Sequence, residues 1–208
     1  MSMDLMAEAR AERLELVEFL RGITAEQWQQ PSLCSHWSVQ DVVAHLVSYE
    51  VLTPVGVLTR AATGLMSLNR MNAIGVAEHS AQGPDQLMAL LQRHATPSGI
   101  TALRGGGIGL VDSLIHQQDI RRPLGSRRDI PMDRLRYALD FARTAPPLRG
   151  LWRIRGVRLV ATDAEWAAGR GPEARGPAEA ALMVMAGRPG AAEELTGPGR
   201  EVLVRRFG

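Results

Sequence analysis

The chain contains no lysine, so every one of its 24 basic side chains is an arginine. It has one cysteine, Cys34, which excludes an internal disulfide and suits a reducing cytoplasm. Aromatic residues make up only 4%, so Leu, Val, Ala and Met must fill most of the interior. No apolar run approaches the roughly 20 residues that a membrane-spanning helix needs, so a membrane is not an expected partner. The opening Met1-Ser-Met-Asp-Leu-Met-Ala-Glu8 lacks a basic stretch and an uninterrupted apolar core, and does not read as a signal peptide. The formal net charge is only +2, and the arginines are scattered apart from Arg121-Arg122, Arg127-Arg128, Arg153/Arg155/Arg158 and Arg205-Arg206. Without a dense basic stripe, nucleic acid is not an expected partner either.

What is present is enough apolar material, 45% of 208 residues, for one sizeable core or a main domain with a small appendage. Apolar residues at helical spacing predict a helix over 4–21, stopped by Gly22. Thr24-Ala-Glu-Gln27 has the pattern of a capping box and opens a short helical turn. Residues 31–37 read as a loop. Ser38-Val-Gln-Asp41 is a second capping box, starting a long helix near Val39 that reaches about residue 63, with Pro54 a point of breakage or kinking. Residues 64–83 have weak periodicity and read as a loop or a short helix. Pro84 opens a helix to about His94, residues 108–121 form another, and Pro131 starts a further one that ends before Pro146. After Gly150 the texture changes. Residues 151–162 alternate apolar and basic side chains as a strand does, 169–177 are turn-rich, and 177–187 form a short apolar helix. The expected division is a helical domain over 1–148 and a small α/β domain over 149–208.

The chemistry concentrates in Asp112-Ser-Leu-Ile-His116-Gln-Gln-Asp119. On a helix, Asp112, His116 and Asp119 project from roughly one face, and a carboxylate and an imidazole at i, i+4 can close on one divalent metal. A third ligand must come from elsewhere, and His45 in Ser38-Val-Gln-Asp-Val-Val-Ala-His45-Leu is the best candidate. The competing reading makes His45 a core residue and the Asp112 face a solvated one. Asp119 is better placed as an orienting group or general base than as a fourth ligand. Asp41 falls where a carboxylate caps the helix, and that is its assigned role. Cys34 shows no base partner in the sequence, and Gly105-Gly-Gly107 lacks the lysine and spacing of a phosphate-binding loop.

Taken together, these blocks resemble the mycothiol-dependent maleylpyruvate isomerase family, within the wider DinB-like helical superfamily. Pro31-Ser-Leu-Cys-Ser-His-Trp37 running into His45-Leu is similar to the family's first ligand block, and Asp112 through Gly125 to its second. Arg155-Gly-Val-Arg-Leu-Val-Ala-Thr-Asp163 and Ala186-Gly-Arg188-Pro resemble its C-terminal domain. The resemblance implies a mainly α fold, a DinB-like four-helix bundle with a small C-terminal α/β domain. It implies one divalent metal, zinc in the family's usual pattern, held by His45, Asp112 and His116. Asp119 would be the acid/base or orienting residue, and Arg188 the arginine facing the active site. The implied partners are mycothiol or a similar small thiol and a small electrophilic substrate, joined in an isomerase or S-transferase reaction. The alternative implied by the superfamily is a non-catalytic metal-binding or regulatory module. The characterised isomerase has Glu where this chain has Asp112, one methylene shorter.

Overall fold

The computed structural model describes residues 3–207. Met1, Ser2 and Gly208 lie outside the described residues, and with them the first two positions of the segment weighed above as a leader. By its contacts the chain divides into two compact units, 1–127 and 128–208.

The first unit is helical. Its elements are α1 (Leu5–Arg21), α2 (Ala25–Trp28), α3 (Val39–Ser48), α4 (Pro54–Thr63), α5 (Leu68–Glu78), α6 (Pro84–Arg93) and α7 (Gly107–Arg121). Helix α1 packs on α6 and α7, and α3 packs on the same two, so four helices close a bundle. Leu16, Leu20, Leu46, Leu87, Leu91 and Ile120 fill its centre and are fully buried. Aliphatic side chains make this core, as the scarcity of aromatics requires.

Local chemistry sets the helix ends. Ser38 Oγ accepts from the Asp41 amide at 3.2 Å, and Asp41 Oδ2 accepts from the Ser38 amide at 2.9 Å, completing the reciprocal cap of α3. The expected single helix to about residue 63 is two helices instead. Pro54 has no N–H to continue α3 and holds Thr53 extended, at φ −73° and ψ 160°, where Thr53 caps α4. Residues 68–78, weakly periodic in sequence, form α5 against α3. Gly75 explains part of the weak signal, because a Cβ there would lie 2.5 Å from Ser48 Oγ. Gly106 has φ +92° at the start of α7, and a Cβ on it would come within 2.9 Å of the Met6 backbone. The glycine run therefore serves a close approach of α7 to α1.

One buried ion pair ties the bundle together. Arg13 and Glu50 have fully buried side chains and meet at 2.6 Å. Arg13 also donates to Ser113 Oγ at 3.1 Å and to the His94 carbonyl at 2.9 Å. Glu50 accepts from the Ser98 amide at 2.8 Å and from the Thr101 hydroxyl at 2.5 Å.

The second unit holds α8 (Met132–Thr144), α9 (Gly150–Arg153), strands β1 (Arg158–Ala161), β2 (Ala167–Gly169) and β3 (Glu173–Gly176), α10 (Ala178–Met185), a 3-10 turn (Pro189–Glu194) and α11 (Pro198–Phe207). The sheet order is β2-β1-β3, antiparallel in the first pair and parallel in the second. Two expectations differ here. Helix α8 packs on α9 and α10, so it belongs with this unit rather than with the bundle, and the units divide well before residue 148. The strand expected over 151–162 is confined to 158–161, and 150–153 are helical. Gly150 permits that turn to abut α8, since a Cβ there would meet the Ala142 carbonyl at 2.3 Å.

Replacing Arg13 with Leu is expected to destabilise the protein by about 3–5 kcal/mol, because it leaves Glu50 buried without its cation. Denaturant unfolding of the variant beside wild type measures this, and a loss below about 1 kcal/mol contradicts the assignment.

Candidate metal centre

His45 sits two turns into α3, behind the Ser38 cap, with its side chain only 4% exposed. Asp112 and His116 lie one turn apart on α7. The bundle brings these three side chains to one point, with their candidate ligand atoms within 4.8 Å of one another. The two imidazole rings are 4.7 Å apart, edge to face.

The spacings decide what this cluster is built for. Asp112 Oδ1 is 3.8 Å from His45 Nε2 and 3.6 Å from His116 Nε2. Both gaps exceed an ordinary N–H···O hydrogen bond. They are close to the separation of about 3.3–3.6 Å between ligand atoms around a tetrahedral ion with bonds of about 2.0–2.2 Å. Two imidazole nitrogens and a carboxylate oxygen are a donor set that suits zinc and leaves a fourth position open. His45 Nδ1 is buried and has no hydrogen-bond partner among the described residues, so the Nε2 edge carries that ring's polar interactions. The residues present fit a divalent metal.

The other edge of His116 differs. Its Nδ1 lies 2.9 Å from Asp119 Oδ2, and Cys34 Sγ donates to the same oxygen at 3.1 Å. Cys34 Sγ is 3.6 Å from Nδ1. The contacts to Asp119 are hydrogen-bond lengths, so this edge is a hydrogen-bonded relay rather than a second ion site. We assign the Nδ1 proton to the Asp119 hydrogen bond, so the proton that His116 would give up to a metal is the one on Nε2, which faces Asp112 and His45.

Electrostatics separates the two histidines. Burial pushes the His45 imidazole below its ordinary value, although Asp112 favours the charged form. Burial also acts against a charge on His116, but the Cys34 sulfur, Asp119 and Asp112 outweigh it and hold this imidazole well above its usual range. Burial pushes the Asp112 carboxyl up, yet His45, His116 and Arg13 together bring it down to about 2. Without a metal, then, His45 is a neutral donor ready to bind, and His116 must give up a proton first.

Three side chains join the cluster that residue spacing did not assign to it. Trp37 packs its ring 5.1 Å from His45 on one side, and Tyr49 lies 5.5 Å away on another, its hydroxyl donating to Asn72 Oδ1 at 2.6 Å. Tyr49 follows His45 by four residues on the same helical face, a signal the sequence did carry. Cys34 has the base neighbours that its own stretch of sequence does not show. Arg188 lies in the second unit, where its guanidinium donates to the Ala186 carbonyl at 2.7 Å. Arg121 stacks 3.9 Å over Phe19 and donates to Gln117 Oε1.

A helical bundle that presents histidines from two helices and an aspartate to one point defines the class, a DinB-like bundle with a candidate metal centre. Residues 9–105 match the family model of the mycothiol maleylpyruvate isomerase N-terminal domain. Two solved structures share the fold. One is a mycothiol-dependent maleylpyruvate isomerase, 17% identical, with a TM-score of 0.61 over 93% of this chain and 91% of that one. The other is a His-to-Ala mutant of such an isomerase, 18% identical, with the same TM-score and coverage. No curated protein matches the chain.

Metal titration of the purified protein provides two checks. Asp112→Ala is expected to weaken zinc binding sharply while Asp112→Glu retains most of it, and equal affinity in wild type and Asp112→Ala would remove Asp112 from the ligand set. Metal affinity is also expected to rise with pH. Binding displaces the His116 proton, so below the raised His116 value each pH unit strengthens binding by about tenfold. A flat profile between pH 5 and 7 would show that no such proton is displaced.

Proposed function

We propose that this protein is a metal-dependent enzyme that uses a low-molecular-weight thiol, mycothiol or a close analogue, on a small electrophile, as an isomerase or an S-transferase. The observation that carries the reading is the spacing of His45, Asp112 and His116, too wide for hydrogen bonds and suited to a single ion. The likeness of residues 9–105 to the mycothiol maleylpyruvate isomerase N-terminal domain supports a thiol as the cofactor.

A divalent metal held by these three residues, zinc being the expected one, would supply the Lewis acidity that makes a small thiol a thiolate near neutral pH. The protein's own groups do the rest. Asp119, fully buried, holds the Nδ1 proton of His116 and so keeps the ring turned toward the cluster. Its carboxylate is also an acceptor one imidazole away from the open position, which suits it to the acid/base role. Trp37 and Tyr49 place aromatic surface beside His45, lowering the local dielectric and strengthening charge interactions there. The attacking sulfur forms a bond to an electrophilic carbon, and the displaced π pair moves onto an adjacent carbonyl. For a cis double bond, the new single bond rotates, the pair returns, the C–S bond breaks and the trans isomer leaves. For a transferase, the adduct is protonated at carbon and released.

The test is thiol consumption and cis–trans isomerisation across a panel of unsaturated and electrophilic acids, with and without chelator. Activity is expected to vanish with chelator, return with zinc, and fall by about 100-fold or more in Asp119→Asn. If chelation and Asp119→Asn both leave turnover unchanged, the mechanism is wrong. If zinc binds but no thiol does at millimolar concentration, the bundle is a non-catalytic metal-binding module.

A further inference from the structure

The loop before α3 reaches both histidines of the candidate centre, and it does so from the opposite side of His116 to the metal-binding edge. Its ends are pinned by the Pro31–Ser38 bridge, and Ser32 Oγ binds back to the Trp37 carbonyl at 2.8 Å and to the Cys34 amide at 3.1 Å. His36 holds φ +67°, a left-handed conformation uncommon for a residue with a side chain. So tight a loop leaves Cys34 little freedom. Two contacts join it to the last turn of α7. The Leu33 amide donates to the Asp119 carbonyl at 3.0 Å, and Cys34 Sγ donates to the Asp119 carboxylate at 3.1 Å. The loop continues directly into the Ser38 cap of α3, seven residues before His45.

We propose that Cys34 is a positioning residue for His116, acting through Asp119. This rests on the reading of the site as a metal centre and adds to it a residue that neither binds the ion nor meets the substrate. Asp119 Oδ2 takes two donors, the His116 ring N–H and the Cys34 S–H. The carboxylate is fully buried, so a lost donor is not replaced by bulk water. With both donors in place the carboxylate is fixed in one rotamer, and the ring it holds points Nε2 at Asp112 and His45. Without the thiol, Asp119 Oδ2 loses the donor that faces the loop, and the ring is held by a carboxylate oxygen fixed less tightly. Only the direction of the His116 lone pair suffers, which is the quantity metal affinity reads.

Cobalt binding to metal-free protein, followed by its visible absorption and by competition with a chelator, tests this in Cys34→Val, Cys34→Ala and Cys34→Ser. Valine keeps roughly the volume of cysteine and removes the donor, and serine keeps a donor. Valine and alanine are expected to weaken cobalt binding by about tenfold, the low end for groups that orient a metal ligand, with a shifted or broadened cobalt spectrum. Serine should restore both affinity and spectrum. Thermal unfolding of the metal-free variants separates this from loss of fold, since affinity is compared only where the metal-free protein is folded. Should alanine fail to fold, valine and serine decide alone. Wild-type affinity and spectrum in Cys34→Val would overturn the proposal, as would weak binding in Cys34→Ala alone, which would mean packing only. If the wild-type protein takes up no cobalt, the metal reading falls and the role of Cys34 falls with it. If wild type binds cobalt and Cys34→Val matches it, only the role of Cys34 is lost.

Discussion

A single buried guanidinium organises the first unit. Arg13 on α1 reaches Glu50 just beyond α3, the His94 carbonyl at the end of α6 and Ser113 on α7. Burying a charge is expensive unless its partner and its remaining donors are all satisfied, and the planar guanidinium on α1 meets that demand by reaching partners on or beside the other three helices of the bundle. The consequences reach the candidate centre. Ser113 is the neighbour of Asp112, and Glu50 follows His45 by five residues. The network that satisfies Arg13 therefore also sets how α3 and α7 stand to one another, and the two helices carry all three candidate ligands.

The centre itself is organised about one imidazole with two unlike edges. On one edge His116 faces Asp112 across a gap too wide for a hydrogen bond. On the other it meets Asp119 at hydrogen-bond distance, backed by Cys34. Burial acts against charge on both histidines, yet their surroundings push them in opposite directions from the ordinary value. His45 has one carboxylate at 3.8 Å and an unpartnered Nδ1, and stays neutral. His116 has Asp119 in direct contact and Asp112 nearby, and takes a proton. The pair thus provides one ligand that is ready and one that exchanges a proton for metal, and the exchange couples occupancy to pH.

The fold is retained at an identity of 17–18% with the isomerase structures, which is too low to carry their chemistry across on its own. The chemical reading rests instead on side chains of this chain. The shorter Asp112 illustrates the point. Where the sequence resemblance leads one to expect glutamate, aspartate still brings its oxygen to within 3.8 Å of both imidazoles, because both helices sit close enough to need only the shorter side chain.

How much was legible in advance follows from the range of the interactions involved. Helix α1, the capped start of α3, α6, α7 and α8 were readable because caps, prolines and apolar periodicity act within a few residues. So was the pairing of Asp112 with His116, which is a property of one helix face. Helix α5 and the true extents of β1, β2 and β3 were not, since Gly75, Gly150 and Gly169 are placed for close approaches to other elements, which no local pattern announces. Cys34 looked isolated because its partner lies 85 residues away. Sequence by itself determined which side chains are able to serve as ligands and which helices present them. Only the tertiary structure decided that they meet, that one edge of His116 is spaced for an ion and the other for hydrogen bonds, and that the two imidazoles are pushed in opposite directions from their ordinary values, because burial and distance exist only once the helices have packed.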